Sequence, residues 1–207
     1  MVEVTILSDE ALEVPAASQE EAQARAAQLR EGGGWREVVA GERSVAVLFD
    51  PLTETLGEAT ARLRAGCAAT PPPPPASKAP VLTLPVRYGG ADGPDLAALA
   101  AHAGLSEAEV IERHAGTLHT VAMLGFTPGF AYVDGLHESL RVPRLPVPRP
   151  RVPTGSVGVA EARTGLYALP GPGGWSLIGR TEASLFDPRA DPPARLAPGQ
   201  RVRFVPV

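Results

Sequence analysis

Apolar residues recur along this chain in short runs, and the period of those runs changes from one part to the next. Near the N-terminus VEVTIL and ALEV have the length and composition of short strands, and residues 18–30 set Ala22, Ala26 and Leu29 on one helical face. WREVVAG and SVAVLF then read as two strands around Gly41-Glu42. Residues 53–65 return to the helical period, with Leu56, Ala59 and Leu63 on one side and Thr53 as the expected N-cap. Strand, helix, hairpin and helix in that order predict a small α+β domain of ferredoxin-like kind over residues 1–68.

The next stretch, ATPPPPPASKAP at 69–80, can hold neither a helix nor a central strand and favours extended polyproline, so it is the predicted linker. VLTLPVRY follows as a strand, and the turn cluster GGADGPD opens a short helix at Leu96. Ser106 and Glu109 have capping-box spacing for a helix through His114, which Gly116 can end. Beyond His119 the helical period stops. HTVAML, SVGVAEA, GLYAL, GWSLIG and RVRFVPV alternate with Gly/Pro turns, the pattern of an all-β sandwich or barrel. Residues 81–207 are therefore expected to form a mainly-β barrel with helical decoration.

Composition narrows the chemistry. With 44% hydrophobic residues in 207, the chain can bury a real core, but its apolar runs fall far short of the ~20 residues that cross a bilayer. MVEVTILSDE has no basic leader region, so the expectation is a cytoplasmic protein without membrane contact. Cys67 is the only cysteine, which excludes an internal disulfide, and no metal site is expected. Of 19 basic residues only Lys78 is a lysine, and its proline-rich setting matches neither a P-loop, a Schiff-base site nor a biotin-carrying Met-Lys-Met. A net charge of −4 and the lack of a helix studded with basic residues argue against nucleic acid.

Several stretches carry candidate chemistry. GFTPGF at 125–130 suits a type II turn with Pro128 and Gly129 at its centre, and is either a structural corner or the wall of a site formed by Gly125, Phe126 and Phe130. Residues 141–163 hold five arginines against one acid, Glu161. Arg144, Arg149 and Arg151 either blunt a sheet edge or converge on a carboxylate or phosphate. Thr154, Gly155 and Ser156 offer hydroxyls and backbone amides to an oxyanion, but Thr154 stands where a nucleophile elbow needs glycine. His114, at the end of the helix that leads into the Gly/Phe segment, is the acid/base candidate or an ordinary capping histidine; His114 and His119 are spaced five apart, unlike a zinc pair on one helical face. Gly173, Gly174 and Trp175 either pack a barrel corner or bring amides and an aromatic wall to a ligand, with Arg180 at the same mouth.

Read in order, YGGADGPDL, His114, VAMLGFTPGF, VPRL, PRPRVPTGSVGV, TGLY, PGGWSLIGRT, LFDP and PGQRVRF resemble the 5-oxoprolinase B-subunit family across the whole second domain. That family is also called KipI or allophanate hydrolase subunit 1, and shares a domain with the carboxyltransferase part of urea amidolyase. The resemblance implies a cyclophilin-like β-barrel after a ferredoxin-like domain. It implies a polypeptide, inactive alone, that joins the 5-oxoprolinase C- and A-subunits to cleave 5-oxoproline to L-glutamate with ATP as cosubstrate, magnesium accompanying it and no cofactor bound covalently. The family's motif positions fall on His114, Gly125, Phe126, Pro128, Gly129, Phe130, Pro143, Arg144, Arg149, Pro153, Gly155, Ser156, Gly173, Gly174, Trp175, Gly179 and Arg180. His119 stands where the family usually has a tyrosine, and is the second catalytic candidate because an imidazole can replace the phenol's hydrogen bond. Two other readings stay open: a KipI-like inhibitor whose partner is a histidine kinase, and a component of a urea- or allophanate-processing carboxyltransferase.

Overall fold

The structure, a computed structural model, describes residues 2–69, 71 and 80–207. The chain divides into two compact units, residues 1–76 and 77–207. Most of the linker assigned to 69–80, including Lys78, lies outside the described residues.

The first unit runs β1 (Thr5–Ile6), β2 (Ala11–Pro15), α1 (Gln19–Gly32), β3 (Glu37–Ala40), β4 (Ser44–Leu48) and α2 (Leu56–Gly66). Its antiparallel sheet has the order β1-β2-β4-β3. The period-2 alternation puts Leu12, Val14, Val38, Val45 and Val47 on one face, where they close a core with Ala22, Ala26 and Leu29 of α1 and Ala59 and Leu63 of α2. A ferredoxin-like sheet would place a strand after α2 beside β2. Here β1, from ahead of β2, pairs at that edge. The cap of α2 is Thr55 rather than Thr53. Thr55 accepts from the Glu58 amide while Glu58 reaches back to the Thr55 amide, and Thr53 instead bonds the Asp50 carbonyl in the preceding turn.

The second unit contains β5 (Leu82–Tyr88), α3 (Leu96–Ala103), α4 (Glu107–Ala115), β6 (His119–Leu124), β7 (Ala131–Asp134), a 3₁₀ turn (Glu138–Leu140), β8 (Arg149–Val152), β9 (Ser156–Ala160), β10 (Arg163–Leu166), β11 (Gly171–Gly173), β12 (Ser176–Arg180) and β13 (Arg201–Pro206). Seven of these strands close a barrel in the order β10-β7-β6-β13-β5-β12-β9. Only β13 and β5 pair in parallel; β8 and β11 form a separate two-stranded ribbon. Leu84, Val86, Val121, Val133, Val157, Val159, Leu166, Ile178, Val202 and Phe204 supply the main core, joined by Leu96, Leu99 and Val110 from the two helices. The capping box on Ser106 forms as its spacing predicts. Gly116 ends α4 in a right-handed conformation, so its amide reaches the Glu112 carbonyl without the left-handed backbone that glycine caps often use.

Candidate functional site

The GFTPGF segment joins β6 to β7 as two nested turns. The Phe130 amide donates to the Thr127 carbonyl at 3.0 Å across Pro128 and Gly129, and Gly129 has a φ of 75°, as a type II turn requires. A side chain at Gly129 would run into Phe186 and Ala168. Inside this turn the Thr127 amide also donates to the Gly125 carbonyl at 2.8 Å, which drives Phe126 to a φ of 67°. The two phenylalanines consequently part: Phe130 is 1% exposed and Phe126 is 60% exposed.

Phe130 belongs to an aromatic layer on the outside of the barrel. Tyr132, Gly165, Gly158 and Leu177 stand side by side on β7, β10, β9 and β12. The two glycines in the middle of that row form its floor. A Cβ on Gly165 would lie 3.0 Å from both Phe130 and Trp175, and one on Gly158 would lie 2.9 Å from the Trp175 Cβ. Both rings therefore approach the backbone more closely than any side chain would permit. Edge-to-face contacts link Phe126 to Phe130 (5.6 Å), and Phe130 to Tyr132 (4.9 Å), Tyr167 (4.9 Å) and Trp175 (6.0 Å). Burial pushes the Tyr167 phenol up to about 12.

Two of the predicted arginines meet Trp175, in different ways. Arg144 lies with its guanidinium carbon 5.8 Å from the ring centroid, and its other contact is a 3.3 Å ion pair to Glu161; both side chains are exposed. Arg149 works from below. Its Nη2 donates to both carboxylate oxygens of Asp95, at 2.6 and 2.8 Å, and its Nη1 donates to the Trp175 carbonyl. Asp95 in turn accepts the Leu177 amide at 2.6 Å. This clamp ties the start of α3 to Trp175 and to β12, which begins at the next residue, so Arg149 positions the ring. Arg151 is solvent-exposed.

Other predicted members lie elsewhere or are already occupied. The amides of Gly155 and Ser156 donate to the carbonyls of Tyr167 and Pro153, and Ser156 is buried, so the expected oxyanion-facing turn is instead a structural turn at the head of β9. Gly173 sits against the Tyr167 hydroxyl, and Gly174 gives its carbonyl to the Leu145 amide, which is the packing role for that segment. Arg180 is five residues along from Trp175, about 16 Å at the rise of a strand. It donates to the Thr154 carbonyl and joins Asp92, next to the Arg87–Glu182 pair, rather than sharing a mouth with the tryptophan.

The catalytic assignments to His114 and His119 meet a physical obstacle: both residues are fully buried inside the barrel. His114 Nδ1 is 2.8 Å from the Tyr88 hydroxyl, its Nε2 is 3.0 Å from Thr164 Oγ1, and its ring stacks on Phe204. His119 donates from Nε2 to the His114 carbonyl at 2.8 Å, and the rest of its ring packs against the Asp134–Gly135 backbone. Burial pushes His114 well below the ordinary histidine range, with its neighbour His119 acting in the same direction. Burial also lowers His119, against the His114 carbonyl, which favours its charged form, while its Nδ1 has no hydrogen-bond partner among the described residues. Both are neutral framework groups, shielded from a dissolved substrate. Sequence reasoning missed Tyr132, Tyr167, Asp95 and Glu161. Glycines inside the strand patterns at 158 and 165 were the available signal for a close approach.

Among the described residues no helix is long and apolar enough to cross a membrane, and no group of three or more His, Cys, Asp or Glu is placed to hold a metal ion. Fold and site together define a mainly-β barrel domain with a second, buried aromatic cluster flanked by the exposed Arg144 and Phe126. Residues 2–196 match the family described as carboxyltransferase domain, subdomain C and D, and the chain belongs to that family. It is 55% identical over 125 residues to the 5-oxoprolinase B-subunit of Escherichia coli O157:H7, covering 60% of this chain and 57% of that protein. The chain thus spans little more than half the length of that relative. The crystal structure of TTHA0988 superposes with a TM-score of 0.80 at 34% identity, covering 100% of this chain and 41% of that one. The urea amidolyase of Kluyveromyces lactis shares the fold, with a TM-score of 0.78 at 19% identity over 100% of this chain and 15% of its own.

Proposed function

We propose that this chain is the B-subunit of an ATP-dependent 5-oxoprolinase complex, helping to cleave 5-oxo-L-proline to L-glutamate at a site shared with the C-subunit, in an assembly that also requires the A-subunit. The observation that carries the reading is Arg144 poised over Trp175. It is an exposed guanidinium at the edge of a largely buried tryptophan, 6% exposed, and among the described residues its ion-pair partner is a solvent-exposed acid that a ligand can displace. A planar cation so placed suits the carboxylate of 5-oxoproline, or the charge that builds when the lactam oxygen is phosphorylated. The 55% identity to a protein named as a 5-oxoprolinase component supports the same reading. So does the buried state of the two histidines: activating a lactam through ATP calls for positioning and positive charge more than for a general base on this chain.

ATP enters as cosubstrate of the complex. We assign the nucleotide and its magnesium largely to the other components, because no P-loop motif occurs in this chain, and expect the chain alone to be inactive. We read the barrel as cyclophilin-like and the first unit as a ferredoxin-like relative whose edge strand comes from the N-terminal side, in a cytoplasmic protein. The urea-processing alternative rests on fold alone, and no structural observation favours the kinase inhibitor. Reconstitution tests the proposal: the full chain mixed with the A- and C-subunits is expected to release glutamate from 5-oxoproline with ATP hydrolysis, and mixtures lacking the chain are not. Equal turnover with and without it would overturn the assignment.

A further inference from the structure

Phe126 is unexplained by the site as described. Its ring is 60% exposed although it sits at the tip of a turn whose other phenylalanine is completely buried. Its φ of 67° is a conformation that L side chains rarely adopt, and among the described residues only Glu161 is a second non-glycine with positive φ. Glycine at this position would satisfy the same Thr127-to-Gly125 hydrogen bond without strain. The turn is also fixed from behind, by Gly129 packed on Phe186 and Ala168 and by the Gly125 amide bonded to the Phe130 carbonyl at 3.1 Å. A strained, rigid backbone thus holds a large apolar ring out in solvent, the combination expected of a recognition element.

We infer that Phe126 is a docking knob that seats in an apolar socket on the C-subunit, which brings the two proteins' halves of the site together. The inference rests on the reading of this chain as the 5-oxoprolinase B-subunit. A 5-oxoproline molecule is small, polar and charged, so it cannot be the main partner of an exposed benzyl group; a protein socket can. The ladder of ring contacts from Phe126 through Phe130 and Trp175 ends at the cationic Arg144. The socket therefore has an apolar floor and an acidic rim on the Arg144 side. In TTHA0988 the matched region is 41% of the chain, so there this fold is covalently joined to a larger protein remainder, which makes a protein rather than a small molecule the fitting class of occupant.

The test measures, by calorimetry, the affinity of the full chain for the purified C-subunit, alongside thermal unfolding of the chain on its own. Phe126→Gly is expected to weaken association at least tenfold while leaving Tm unchanged or higher, because the strain is relieved. Phe126→Ala should weaken it similarly without the gain in Tm. A Kd within twofold of the parent chain for Phe126→Gly would overturn the inference, and so would a fall in Tm, which would make the ring a structural cover. If Phe126→Gly changes self-association in sedimentation velocity but leaves the C-subunit affinity unchanged, the ring docks a second copy and the inference is again overturned. Failure of the parent chain itself to bind the C-subunit would instead sink the functional assignment, and this inference with it.

Discussion

Acid should weaken the barrel unit well above the pH at which carboxylates titrate. His114 and His119 are buried side by side, ring centroids 5.1 Å apart, and among the described residues neither ring is paired with a carboxylate. Burial holds His114 far below, and His119 below, the ordinary histidine value. The sign follows. Above the unfolded-state pKa of about 6.5 both states are neutral and nothing is lost. Below it the unfolded chain takes up protons that the folded chain refuses, so stability declines as pH falls towards the folded values. At pH 5, about 1.5 units below the unfolded pKa, each histidine that stays neutral costs about 2 kcal/mol, so the pair costs between about 2 and 4 kcal/mol. With a urea slope of about 2 kcal/mol/M, the midpoint should drop by about 1–2 M between pH 7 and pH 5. Trp175 reports this unit alone in a Trp35→Phe background, because Trp35 and Trp175 are the chain's two tryptophans. His119→Tyr should remove up to half of the pH dependence. Equal urea midpoints at pH 7 and pH 5 would refute the reasoning, because the interior would then accept the charge.

Two further outcomes follow from the aromatic layer and its support. Gly165→Ala should cost about 1–3 kcal/mol by driving a methyl group to 3.0 Å from Phe130 and Trp175, and should shift Trp175 fluorescence as the ring is pushed outward. Asp95→Asn removes the charge that Arg149 grips with two bonds, and should cost about 2 kcal/mol while raising the mobility of Trp175 as measured by fluorescence anisotropy.

The elements are more legible in the sequence than their company. Period-2 and 3.6-residue patterns locate helices α1 to α4 and most strands because apolar side chains face a core, whereas β7, β8 and β11, short or rich in Pro, Gly and Arg, carry no such pattern. Pro128-Gly129 announces its type II turn because two residues determine that backbone. The directions of Phe126 and Phe130 are not legible, since they depend on a second turn nested in the first and on Phe186 arriving from 56 residues downstream. Counting finds the arginines, but their roles separate through partners remote in sequence: Asp95 is 54 residues from Arg149, whereas Arg144 stays free enough to act. Chain order places His114 near the Gly/Phe segment, and the barrel's closure turns that proximity into burial. The Thr154 to Ser156 turn has a composition that suits anion binding, yet its Gly155 and Ser156 amides are taken by backbone carbonyls, a fact that only the paired strands reveal.

Steady-state kinetics of the reconstituted complex with Arg144→Ala and Arg144→Lys bear most directly on the central claim. If the guanidinium over Trp175 binds the substrate carboxylate or the developing phosphate, Arg144→Ala should lower kcat/KM for 5-oxoproline by about 10–100-fold, the value of one charge-assisted contact. Arg144→Lys should recover only part of that loss, because a point charge lacks the planar fork. An unchanged kcat/KM in Arg144→Ala, with the complex intact, would contradict the account.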